Sequence, residues 1–81
     1  MKRKNYQVKI SNGQQFTKHT WNAARNEIVK CMRVFATEWD CEFREHQTAR
    51  EKDSRNNHIY GVFNWVNDKG QFFEFTIELV D

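Results

Sequence analysis

The chain has 81 residues, 15% aromatic and 30% charged, with no proline, three glycines and two cysteines. That length fits a single domain, 1–81, around one hydrophobic core, and its aromatic content with both charge signs interspersed excludes a disordered tail. No apolar run is long enough to span a bilayer, and the basic start Met1-Lys2-Arg3-Lys4 has no apolar stretch behind it, so no signal peptide is expected.

The net charge of +2 hides a division. Residues 1–37 carry eight Lys or Arg against one acid, Glu27, which leaves +7; residues 38–81 carry five against ten acids, which leaves −5. Such a split predicts a basic face and an acidic face on one small body. Cys31 and Cys41 make a poor disulfide framework, so free thiols in a reducing cytoplasm are expected.

Taken in chain order, Tyr6 to Ile10 alternates with Tyr6, Val8 and Ile10 on one side, the pattern of a half-buried strand. Asn12-Gly13 follows as a hairpin signal. The return arm to Thr20 has only Phe16 as an apolar anchor, which predicts a short or irregular arm. From Thr20, a candidate N-cap, to about Trp39 the spacing is helical. Trp21, Ala24, Ile28, Cys31, Met32, Phe35 and Trp39 share one stripe, with Asn26, Lys30, Arg33 and Thr37 opposite. Cys41 to Gln47 reads as a strand with Cys41 and Phe43 inward. The octet Arg50–Asn57 has no apolar residue and reads as a solvated loop.

The last two strands, His58 to Val66 and Gln71 to Val80, flank Asp68-Lys69-Gly70. A three-residue loop with glycine in the left-handed position fixes the register. Trp65 then faces Phe73, Phe63 faces Phe75, Gly61 faces Ile77 and Ile59 faces Leu79, all on one side, with Gly61 leaving space under the helix or an aromatic ring. The expected fold is α+β: one amphipathic helix on one face of a three- or four-stranded antiparallel sheet, in the order β-α-β-β-β, with an optional N-terminal hairpin arm.

Two surfaces are candidates for binding. The outer side of the last hairpin carries Tyr60, Val62, Val66 and Phe72, with Glu74 and Glu78 beside them; a single helix cannot cover both sides of a sheet, so this strip is expected at the surface. The plain alternative is that such residues simply suit strands. The basic half offers Lys2, Arg3, Lys4 and Lys9, with Arg25, Lys30 and Arg33 on the helix, for an acidic protein surface or a nucleic acid; its alternative is a solvated helix face. His19, Cys31, Cys41, His46 and His58 lack the close pairing of a metal site, and no hydrolase, metalloprotease or phosphate-loop motif occurs. Neither a cofactor nor catalysis is expected.

A first strand, a helix opened by Thr20-Trp21-Asn22-Ala23-Ala24, and a strand meander with Asp68-Lys69-Gly70 near its end together resemble several small phage-encoded anti-CRISPR proteins. The resemblance is one of length and element order over most of the chain, and it carries no functional residue with it. It implies a non-enzymatic inhibitor in the cytoplasm of a bacterial host, one that occludes the DNA path or a subunit surface of a CRISPR effector. The rival expectation is a small nucleic-acid-binding module stacking bases on Tyr60 and Phe72. Monomer and homodimer are both compatible with the exposed strip.

Overall fold

The computed structural model describes residues 4–80. The element order is β1 (Tyr6–Ile10), β2 (Gln15–Lys18), α1 (Trp21–Trp39), β3 (Arg44–Lys52), β4 (His58–Val66) and β5 (Phe72–Leu79). All five strands join one sheet in the order β2-β1-β5-β4-β3, and every neighbouring pair is antiparallel. The fold is α+β as expected, but with five strands rather than three or four. The N-terminal hairpin closes, and β1 pairs with both β2 and β5.

From Tyr60 to Val66 the register of the β4–β5 hairpin is as the loop length requires: Trp65 pairs with Phe73, Phe63 with Phe75 and Gly61 with Ile77. The expected Ile59–Leu79 pair, by contrast, is not part of the ladder, and Leu79 pairs with Tyr6 of β1. The inward side of the hairpin, with Tyr6, Val8 and Ile10 of β1 and Ala24, Ile28 and Met32 of α1, forms the core. Gly61 has a specific tenant. A Cβ there would stand 3.0 Å from Cη2 of Trp21 and 3.0 Å from Cε2 of Phe63.

The three hairpin turns share one construction. Ile10, Asp53 and Asn67 each donate their N–H to the carbonyl four residues on, and accept from the N–H three residues on. The residue in that third position takes positive φ: Gly13, Asn56 and Gly70. In the latter two turns the side chain of the first residue adds two bonds. Asp53 Oδ1 accepts from the backbone N–H groups of Arg55 and Asn57, and Asn67 Oδ1 from those of Lys69 and Gln71. The Asp53 turn belongs to a segment expected to be loop. Arg50, Glu51 and Lys52 are instead the end of β3, paired with Gly61, Tyr60 and His58. Likewise β3 begins at Arg44, not Cys41.

The reason lies in dimensions. Strands are about 4.8 Å apart, so five span roughly 20 Å, whereas a helix with its side chains is about 10–12 Å across. One helix covers about half of such a sheet. Here α1 packs on β1, β2 and β5. β3, at the far edge, is not covered by the helix and needs no apolar alternation to be a strand, since the ladder with β4 supplies its hydrogen bonds. Register shifts after Gln47 and after Glu51, together with charged side chains, also blunt this long edge against pairing with another chain.

The helix ends are satisfied locally. Thr20 Oγ1 accepts from the N–H of Ala23 at 3.0 Å, and Asp40 closes the C-terminus in the left-handed region. Thr20→Ala should cost about 1 kcal/mol, read as a lower urea midpoint with an unchanged slope. An unchanged midpoint would mean that the cap contributes nothing.

Candidate binding surfaces

On the outer side of the sheet, register places Tyr60, Val62, Asn64 and Val66 of β4 beside Glu78, Thr76, Glu74 and Phe72 of β5. Beyond β4 stand Glu51, Ala49, His46 and Arg44 of β3, and beyond β5 stand Gln7 and Lys9 of β1. No element of the described chain covers this side. Phe72 is 60% exposed, while Tyr60, Val62 and Val66 are half-buried by their neighbours. The apolar strip therefore runs along β4 and ends on Phe72, between an acidic flank (Glu74 and Glu78) and a mixed one (Arg44, His46 and Glu51).

The basic residues do not gather into one face. Lys2 and Arg3 lie outside the described residues. Lys4 is exposed just before β1, and Lys9 is exposed on the outer side of the sheet. Lys30 and Arg33 are exposed on α1, with the helix and the sheet between them and Lys9. Arg25 points the other way: its guanidinium makes a bidentate pair with the Glu45 carboxylate at 2.6 and 2.8 Å. It also lies 4.4 Å from the centre of the Phe63 ring. That charge is matched within the fold, as is Lys18 by Glu27 at 3.4 Å. A bidentate arginine over an aromatic face is a pinning contact between α1 and the β3–β4 half of the sheet.

Two further features lie along the inner side of β4, at the margin of the helix. An apolar groove of about 320 Å³ runs between α1 and the sheet, lined by residues that include Met32, Ala36, Phe43 and Trp65. At the other end Trp21 and His58 stack, centroids 4.7 Å apart and planes 15° apart. Neither was legible beforehand, because each joins side chains far apart in sequence: α1 with Phe43 and Trp65 in the groove, and Trp21 with His58 in the stack.

His58 is held below the ordinary histidine pKa by burial and by the positive charges of Lys52 and Arg50. Its Nδ1 is buried without a hydrogen-bond partner. The unfolded chain then binds the extra proton more readily than the folded one, so stability present above the usual histidine range is lost as pH falls through it. Asp53, held below the usual carboxylate range chiefly by the backbone N–H of Asn57, adds a second loss at lower pH. Urea midpoints should fall in two stages on acidification, and His58→Phe should abolish the upper stage while keeping a ring on Trp21. An upper stage that survives the substitution would assign it to another group.

Burial raises the pKa of Cys31, with Glu27 adding to the effect, and both cysteines are free thiols. Among the described residues no three His, Cys, Asp or Glu side chains are placed to hold a metal ion, and no helix is long and apolar enough to cross a membrane. Comparison with known proteins yields no match to a family model, a curated protein or a solved structure.

Proposed function

We propose that this chain acts by binding, not catalysis, and that the outer side of its sheet is the contact surface. The observation that carries the reading is the uncovered strip Tyr60–Val62–Val66–Phe72, ending on a phenylalanine that is more than half exposed. An aromatic anchor within a polar rim is the composition of a protein–protein hot spot. The partner class rests on the likeness in length and element order to phage-encoded anti-CRISPR proteins: a subunit of a bacterial defence nucleoprotein complex, inhibited by occlusion. Lys4 and Lys9 would steer association from the side of β1, and Lys30 and Arg33 from the helix, with Lys2 and Arg3 adding positive charge to the chain.

The test is inhibition of target-DNA binding by purified CRISPR effector complexes from several types, with wild type and the pair Val62→Asp and Phe72→Asp. Wild type should block at least one complex. The double variant should remain folded by circular dichroism and block it about thirtyfold less well, as expected for an anchor worth about 2 kcal/mol. Failure against every complex would remove the inhibitor reading, and equal potency of the double variant would remove the surface. Lys2→Ala, Arg3→Ala and Lys4→Ala together should slow association at low salt and matter little at high salt.

A further inference from the structure

The uncovered inner edge of the sheet carries a second surface, separate from the outer strip. Arg50 of β3 stands opposite Gly61, the residue over which Trp21 lies, and Lys52 stands opposite His58, the residue on which Trp21 stacks. Two cations thus flank an aromatic pair on one side of one strand. Neither has an acidic partner among the described residues, and both act electrostatically on the His58 ring.

The nearby acids are engaged or turned away. Glu45 is taken by Arg25, Glu51 pairs with Tyr60 on the outer side, and Asp53 accepts from its own turn. The first turn of α1, which begins with Trp21, carries no acid. Where β3 shifts register after Gln47, a polar recess of about 340 Å³ opens beside this group, lined by Gln47, Thr48, Ala49 and Arg50.

The geometry points to a binding site for single-stranded nucleic acid along β3, with phosphates on Arg50 and Lys52 and a base against the Trp21–His58 stack. Cations in a row would track a backbone, and half-buried rings offer the stacking that every base accepts. Polar atoms in the recess suit phosphate or sugar oxygens. An acidic protein segment would use the cations but not the rings. This surface does not depend on the partner proposed for the outer side.

The experiment is fluorescence anisotropy of a labelled oligothymidylate of about twelve nucleotides, titrated with the full chain at several salt concentrations. Binding should weaken with salt. In Arg50→Ala with Lys52→Ala the affinity should fall at least about tenfold, and the slope of log affinity against log salt should flatten by about 1.4, because each phosphate neutralised on a single strand contributes about 0.7. His58→Ala should lower affinity with the salt slope unchanged, the mark of lost stacking rather than lost charge. Lys69→Ala, at the far end of the hairpin, should change neither.

The proposal is overturned by no binding at low salt, or by a double variant that binds like wild type. It is also overturned by polyglutamate competing as well as unlabelled oligonucleotide, which would assign the cations to an acidic protein.

Discussion

Phe75→Ala is expected to cost about 3–5 kcal/mol, the largest loss from any single truncation here. Phe75 has no exposed surface and pairs with Phe63 on β4 and Ile10 on β1, so its ring joins the two hairpins. A domain of this size has a total stability of only about 4–12 kcal/mol. The variant should therefore unfold at low urea or be partly unfolded without it, which far-ultraviolet circular dichroism would follow. Phe72→Ala is the control: the same side chain three positions earlier on the same strand but on the opposite side of the sheet, where it is mostly exposed. It should cost well under 1 kcal/mol. Equal losses from the two would mean that inner and outer sides have been assigned wrongly.

The second large effect is expected from Gly61→Val. By strand propensity alone valine should stabilise β4, by up to about 1 kcal/mol. Packing opposes it. The first added carbon already meets the Trp21 and Phe63 rings at 3.0 Å, and neither ring is free to yield. Trp21 is held between the stack with His58 and an edge contact with Tyr6 at 6.1 Å. Phe63 is 2% exposed and lies under Arg25. Overpacking of this kind costs about 1–3 kcal/mol, enough to reverse the propensity gain.

Gly61→Ala should show the lower end of that range. The cost should shrink in a Trp21→Leu background, as a double-mutant cycle would register. A valine variant more stable than wild type would show that the rings move aside.

These contacts also explain what could be read from the residues. The β4–β5 register follows from Asp68-Lys69-Gly70, because a turn of fixed length sets every pair beyond it, and each inward pair is apolar. The helix and its Thr20 cap are equally local in their signals. By contrast β3 depends on a remote fact, the width of the sheet relative to one helix. Its residues Arg50 to Lys52 are all polar and contribute nothing to the core, so no periodicity marks them as strand. The Trp21–His58 stack and the groove beside Phe43 join residues far apart in sequence, which no local pattern shows. For the same reason Arg25 read as surface charge: its carboxylate partner, Glu45, stands on β3, remote in sequence.

The outer strip is the part of the candidate surface that the residues did indicate, since alternation in β4 leaves Tyr60, Val62 and Val66 on the side away from Phe63. The basic half of the chain was a poorer guide. Charge counted along sequence ignores that β1 and α1 lie in different layers, and that Lys18 and Arg25 are each matched by an acid.

The most direct measurement is nuclear magnetic relaxation with a soluble gadolinium chelate, run on the dilute protein with methyl and ring signals assigned. The methyls of Val62 and Val66 and the ring of Phe72 should relax strongly, while Val8, Ile28, Ile77 and Phe75 should be spared. If Val62 and Phe72 are as protected as Phe75, something covers the outer side of the sheet, and the surface proposed for the partner is not available to it.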